Sequence, residues 1–217
     1  FRNRVFASAS LALVLSFLGL FATSFLLPFY LEQLRGYSPE RAGLTLTALP
    51  LTIAVVSPMS GALADRIGSR FLCVTGMSIA TLGLVMLGQL GATTPQHEIL
   101  VALAITGAGQ AMFQPANNSA LMGAAPPERR GVASGILATA RVVGQSMSIA
   151  VTGAIFTAYG AARAGHALGA GSADPTHDAE FLAGFRAALS VCATITLLAA
   201  LASTLRGPEP RRPMRTN

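Results

Sequence analysis

Charged residues are scarce in this chain of 217 residues, and their scarcity sets its class. Charged side chains make up 11% of the residues and hydrophobic ones 52%, with a mean hydropathy of +0.57. Soluble domains carry about 25% charged residues, so this chain has too few to cover a water-facing surface. The composition excludes an ordinary soluble domain and favours a protein of the lipid bilayer.

Lysine and tryptophan are absent, and cysteine and histidine are few. Without lysine there is no Gly-x-x-x-x-Gly-Lys-Ser/Thr loop to bind a nucleotide. Cys73 and Cys192 stand apart in apolar runs, so they form neither a disulfide framework nor a metal site. His97, His166 and His177 are scattered in polar connections. We therefore expect no enzyme, no cofactor and no metal centre.

The positive charge does not indicate a nucleic-acid partner. The net charge is +6, and all 15 basic residues are arginine. Nucleic-acid binding needs the basic residues gathered on one face. Here they lie in short loops and tails between apolar runs, so we expect no nucleic acid to bind.

Six apolar runs are long enough to cross a bilayer, which takes about 20 residues per helix. Lipid offers the backbone no hydrogen-bond partner, so each run must be a helix or a barrel strand. The runs are too long for strands and do not alternate, which predicts helices. The predicted spans are residues 5–31, 42–64, 71–90, 99–123, 132–159 and 181–205.

The arginines predict the orientation of these spans. Loops on the cytoplasmic side carry the excess of basic residues. Four arginines (35, 41, 163 and 186) fall on or near one side, together with the polar, Gly-rich connection 160–180. Ten fall on the other, including the Arg/Pro-rich tail 206–217: Arg2, Arg4, Arg66, Arg70, Arg129, Arg130, Arg206, Arg211, Arg212 and Arg215. We therefore place both termini in the cytoplasm of a multi-pass plasma-membrane protein.

Three stretches carry a family resemblance. Residues 27–43 run from the end of one span into the next, and residues 114–122 contain Gln-Pro-Ala-Asn-Asn before a helix start at 130–135. Residues 61–70 read Gly-x-Leu-x-Asp-Arg-x-Gly-x-Arg between two spans. In this order the chain resembles the major facilitator superfamily, and most closely the carboxy-terminal six-helix half of its fourteen-helix multidrug:proton antiporters. The resemblance implies an all-α polytopic membrane protein whose six transmembrane helices form one half-bundle over residues 1–217.

Motifs of the family's first half are absent. Leu103 stands where that half usually has an intramembrane arginine, and Gly144-Gln145 stands where the antiporters have Gly-Pro. The chain also begins at Phe1. We therefore expect a fragment whose partner is the missing amino-terminal half, or a second copy of the chain.

Polar residues inside spans are costly and so indicate function. They recur at helical spacing in the fourth and fifth spans, which predicts a wet substrate cavity between them. Amides and hydroxyls also join helix to helix, and an arginine can extend to the membrane surface, so both alternatives stay open. The candidate cavity residues are Gln110, Gln114, Asn117, Asn118, Arg141, Gln145 and Ser148.

The turn between the second and third spans resembles a conformational latch of these transporters. Its residues would be Gly61, Asp65, Arg66, Gly68 and Arg70. A carboxylate is favoured at the start of a helix, and both arginines could pair with it. A plain tight turn is the alternative.

Proline inside a helix removes a backbone hydrogen bond and kinks the helix. Pro50, Pro58 and Pro115 fall inside predicted spans. They are candidate gating points, with static packing as the alternative.

The resemblance implies efflux of small amphipathic compounds in exchange for protons. No Asp or Glu lies near the middle of a span, so the titrating group is expected in the missing half. A metabolite or sugar porter is the alternative within transport. Outside it, the alternatives are a channel or a non-transporting membrane scaffold.

Overall fold

The computed structural model describes residues 4–171 and 174–204, apart from the side chains of residues 4, 65 and 66. Every element in these ranges is helical, and the predicted all-α class is confirmed. The long helices are α1 (Arg4–Phe29, continued by a π-helix Tyr30–Leu34), α3 (Ala48–Ile67), α4 (Ser69–Gly88), α5 (Gln96–Gly123), α6 (Arg130–Ala158) and α8 (Pro175–Thr204). The short ones are α2 (Pro39–Leu46), a 3-10 turn (Pro127–Arg129) and α7 (Ala161–Gly169).

Within the described residues, five helices are long and apolar enough to cross a membrane. They are Val5–Leu34, Pro39–Ala64, Ser69–Gly88, Gln96–Gly123 and Pro175–Thr204. The segment Pro127–Ala158 makes a sixth when it is counted together with α7, from which it is bent by 80°. The half-bundle therefore contains five or six spans.

Helices α1, α4, α5 and α8 form the centre of the bundle, and α3 and α6 flank it. Helix α4 packs against α5 and α8, and α1 packs against α8. Helix α3 lies on α5, whereas α6 lies mainly on α1. The two flanking helices therefore carry much of the exposed apolar surface.

Glycine allows the closest helix pair, α4 and α5, to touch backbone to backbone. A Cβ on Gly76 would meet the carbonyl oxygen of Gly109 at 2.7 Å, and one on Gly109 would meet that of Gly76 at 2.5 Å. Only a residue without a side chain fits at such a contact. These glycines fix how deeply α5 sits in the bundle, and so where its polar residues lie.

Polar contacts join the π-helical end of α1 to the turn between α4 and α5. Tyr30 donates its hydroxyl hydrogen to the carbonyl of Gly91 at 2.7 Å, and the guanidinium of Arg35 donates to the carbonyl of Ala92 at 2.8 Å. The guanidinium carbon of Arg41 lies 4.0 Å from the centre of the Tyr37 ring. This end of the bundle is therefore tied to the α4–α5 turn by the hydroxyl of Tyr30 and the guanidinium of Arg35.

The helices begin earlier than the predicted spans, and at two of these starts a hydrogen bond from polar sequence explains the difference. Helix α2 begins at Pro39 because Ser38 Oγ accepts a hydrogen bond from the Arg41 amide, and proline fits the first helical turn. Helix α8 begins at Pro175, where the backbone N–H of Thr176 donates to Asp174 Oδ1 at 2.9 Å. That hydrogen bond stabilises the carboxylate and lowers the pKa of Asp174.

The connection 160–180 contains a helix that its polar, Gly-rich sequence did not predict. Gly160 has a φ of +73°, which turns the chain out of α6 and into α7. Ala161, Ala164 and Gly165 of α7 are buried, and Gly165 lies against the side chain of Gln33. Helix α7 therefore packs on the π-helical end of α1 and is part of the bundle.

Candidate functional site

A long apolar groove runs between α1 and α6. Its volume is about 690 Å³, within the range of small-molecule sites. The wall is mainly aliphatic, with hydroxyl groups from two residues. The lining residues include Leu11, Val14, Ile136 and Val143, with Ser10 and Thr139.

A smaller cavity of about 230 Å³ lies where α1 meets the α2–α3 break and α5. The aliphatic side chains of Leu46 and Leu49 at the break, and of Leu103 in α5, form part of its wall. Thr23 and Ser24 of α1 border it, and so does Pro50 of α3. Sequence reasoning missed both cavities, because they are set by how the helices cross.

Arg141 does not line the groove or the smaller cavity. The residue is exposed, and its guanidinium carbon lies 5.3 Å from the centre of the Phe17 ring. Each residue turns a helix by about 100°. Arg141 therefore points about 200° away from the groove residues Thr139 and Val143, on the opposite side of α6. Its predicted role as a cavity charge stays a prediction.

The other candidates on α6 sit deeper than Arg141. Gln145 is half-buried and Ser148 is fully buried. Thr152, on the same stripe, lies 3.8 Å from the sulfur of Cys192 in α8. The polar residues that recur along α6 therefore pass from an exposed surface at Arg141 to the contact with α8 at Thr152.

The amides of α5 are divided between helix contact and partial exposure. Asn117 is buried and donates its side-chain N–H to the carbonyl of Ala9 in α1 at 3.2 Å. This contact supports the alternative in which the amides join helices. Gln110, Gln114 and Asn118 are half-buried, and none of them lines either cavity.

The proposed latch is a sharp helix-to-helix turn. Gly68 has a φ of +90°, ends α3 and immediately precedes α4. Arg70 donates to the carbonyl of Thr204 at 2.5 Å. A cation at a helix C-terminus is stabilised by the exposed carbonyls there. The turn is therefore tied to the end of α8, a contact that sequence reasoning did not anticipate.

Asp65 and Arg66 belong to the last turn of α3, which extends to Ile67. Their side chains lie outside the described part of the structure, so their predicted pairing stays a prediction. Gly61 lies in α3, and a Cβ there would meet no atom within 4 Å.

The predicted kink residues differ in their surroundings. Pro58 and Pro115 lie inside the continuous helices α3 and α5. Pro50 lies close to the start of α3, just after the interruption at Thr47. The break follows from covalent structure, because Pro50 has no N–H to donate to the carbonyl of Leu46.

Comparison with known proteins identifies the family. The family model of the Major Facilitator Superfamily matches residues 9–217. Together with the helical fold, this match places the chain in a family of membrane transporters and not of enzymes. The chain belongs to the major facilitator superfamily.

The similar curated proteins are transporters of several kinds. The chain is 35% identical over 159 residues to the Riboflavin transporter RibZ of Clostridioides difficile, which covers 73% of this chain and 34% of that protein. It is 32% identical over 163 residues to the Multidrug resistance protein Stp of Mycobacterium tuberculosis, covering 73% and 29%. The aligned part of the chain therefore spans about a third of the length of these relatives.

A solved structure shows the same fold. It is that of a bacterial homologue of the human drug peptide transporters PepT1 and PepT2, with a TM-score of 0.76. The sequence identity is 22%, and the match covers 98% of this chain and 45% of the other. The chain thus has the fold of slightly less than half of a complete transporter.

Proposed function

We propose that this chain is the carboxy-terminal half of a transporter that exports amphipathic, drug-like compounds in exchange for protons. The groove between α1 and α6 is the observation that carries this proposal. Its aliphatic wall suits the apolar part of such a compound, and the hydroxyl of exposed Thr139 suits a polar end. The similarity to a multidrug resistance protein supports the same substrate class.

The partner that completes the transporter is, in our proposal, the amino-terminal half. Helix α3 exposes a series of large apolar side chains, among them Leu51 at 65%, Val55 at 61% and Met59 at 69%. Such a face is suited to lipid or to a second helical bundle. Alternating access usually needs two bundles that move about a shared site, and the relatives are long enough to contain both.

Proton coupling would then depend on groups outside this chain. Glu32, Glu98 and Glu128 lie at helix ends or in turns, as do Asp174 and Glu180 near the start of α8. A proton carrier works best as a buried carboxylate whose pKa is raised by burial. We therefore assign the titrating carboxylate to the other half of the transporter.

A second candidate function is the transport of a metabolite. The 35% identity to a protein named as a riboflavin transporter favours it. The two candidates share the fold and the groove, and differ in the polarity of the carried molecule.

Transport by the intact protein tests both candidates. In inside-out membrane vesicles, an acid interior should drive uptake of an amphipathic dye, and a protonophore should abolish that uptake. Uptake of riboflavin, measured in the same vesicles, tests the second candidate function, metabolite transport. Gradient-driven uptake of riboflavin without any dye uptake would favour metabolite transport, and dye uptake that requires ATP would contradict proton exchange.

The membrane orientation gives a separate prediction. The turn before α6 and the bend after it lie at opposite ends of one long helix, so they should be on opposite membrane faces. We expect a cysteine introduced at Ala167 to react with an impermeant thiol reagent in intact cells, whereas one at Glu128 should react only after lysis. The positive-inside rule gives this direction. Equal labelling of both positions in intact cells would refute the topology.

A further inference from the structure

Thr23 has a buried hydroxyl that does not bond to its own helix. The residue is 1% exposed, and its Oγ1 has no hydrogen-bond partner among the described residues. Leaving a buried hydroxyl unpaired is unfavourable. Seven other threonines of the candidate spans donate to the carbonyl four positions earlier: Thr45, Thr52, Thr75, Thr81, Thr106, Thr194 and Thr196.

Two prolines free backbone acceptors around the same cavity. Pro28 lies inside α1 and cannot donate to the carbonyl of Ser24, and Pro50 cannot donate to that of Leu46. Both Ser24 and Leu46 border the 230 Å³ cavity, together with Thr23. Two residues whose carbonyls lack their helical donors therefore border the same cavity as Thr23.

The depth of this cavity is that of a transport site. At 1.5 Å per helical residue, Ser24 lies about 15 Å from the end of the π-helix at Leu34. Pro50 lies about 16 Å from the start of α2 at Pro39. Both helices therefore place the cavity near the middle of the membrane, where transporters of this kind bind their substrates.

We propose that this cavity is a binding subsite for a hydrogen-bond donor of the transported molecule, either a hydroxyl or an N–H group. Its acceptors are the carbonyls of Ser24 and Leu46 and the hydroxyl oxygen of Thr23. Leu49 and Leu103 supply the apolar wall that holds the attached hydrocarbon. The inference rests on the proposed transport function and adds to it the polar feature that a substrate must carry.

Equilibrium binding to the chain in lipid nanodiscs tests the subsite without any gradient. The probes are para-fluorophenol and para-fluorotoluene, which have nearly the same size, but only the phenol donates a hydrogen bond. Fluorine NMR gives the affinity of each, with empty nanodiscs as the reference for partition into lipid. We expect the phenol to bind about three- to tenfold more tightly than the toluene. This is the ratio of dissociation constants that one net hydrogen bond produces.

Two pairs of matched variants locate the effect. Pro50→Ala restores an amide to the carbonyl of Leu46, and Thr23→Val removes the hydroxyl at constant shape, so each should reduce the preference for phenol. Pro58→Ala changes a proline elsewhere in α3, and Thr52→Val removes a hydroxyl that already bonds Ala48. Both controls should retain the preference.

Equal affinity for the two probes in the unaltered chain would overturn the subsite. So would a preference that survives both Pro50→Ala and Thr23→Val in variants that keep their helical circular dichroism. A loss of proton-driven efflux with the binding preference intact would count against the proposed function alone.

Discussion

Replacing Gly109 by alanine should destabilise the bundle. The new Cβ would meet the backbone nitrogen of Ala80 and, at 2.5 Å, the carbonyl oxygen of Gly76. Backbone atoms cannot turn aside as a flexible side chain does, so α4 and α5 must move apart. Overpacking of this kind costs about 1–3 kcal/mol, and each kcal/mol lowers the melting temperature of a chain of this size by about 2–4 °C. Thermal unfolding in detergent measures the loss.

Gly153 of α6 is the matched control, because a Cβ there would meet no atom within 4 Å. Gly153→Ala should leave the melting temperature unchanged, or raise it through the better helix propensity of alanine. Gly109→Leu should prevent recovery of folded monomer altogether. If Gly109→Ala melts like the unaltered chain, the close approach of α4 and α5 does not govern stability.

Replacing Asp65 by asparagine should reduce transport by the intact protein by at least about tenfold, the equivalent of 1.36 kcal/mol. The residue lies in the last turn of α3, just before the start of α4 at Ser69. A carboxylate is disfavoured by the C-terminal end of α3 and favoured by the N-terminal end of α4. The energy of the Asp65 carboxylate therefore depends on its position relative to α4, whereas that of a neutral amide does not. A conformational change that moves α4 would alter this energy only when the charge is present.

Substrate binding at equilibrium should stay within about threefold in Asp65→Asn, because the turn lies at one end of the bundle, far from a mid-membrane site. Asp65→Glu retains the charge and should restore part of the transport. Glu98→Gln, at the opposite end of the bundle in the first turn of α5, is the control and should transport normally. The measurement is the transport rate of each variant, normalised to its surface expression. A normal rate in Asp65→Asn would mean that the turn is only a connector.

Much of the helical fold could be predicted because the bilayer leaves the backbone few options. Six apolar runs and the resemblance in three stretches were enough for the all-α class and the superfamily, and both are confirmed. The ends of the helices were harder to predict. Hydrophobicity marks where a helix is apolar, whereas Ser38 and Asp174 begin α2 and α8 through hydrogen bonds in polar sequence.

The candidate site could be predicted only in part. The polar stripe on α6 was visible in the sequence, yet Arg141 faces away from the groove while Ser148 is buried. Pro50 was predicted as a possible kink, but nothing in its own neighbourhood indicated that Thr23 would border the same cavity. Spacing along one helix says which residues share a face, and not which neighbour that face meets.

By itself, the sequence determined that this chain is a helical membrane protein of a transporter family. Lipid forces every long apolar run to satisfy its own backbone hydrogen bonds, and that constraint acts locally. Tertiary structure decided where the cavities lie and which polar groups border them. Those features depend on how closely and at what angle the helices approach, and glycines such as Gly76 and Gly109 set that approach through contacts between residues distant in the chain.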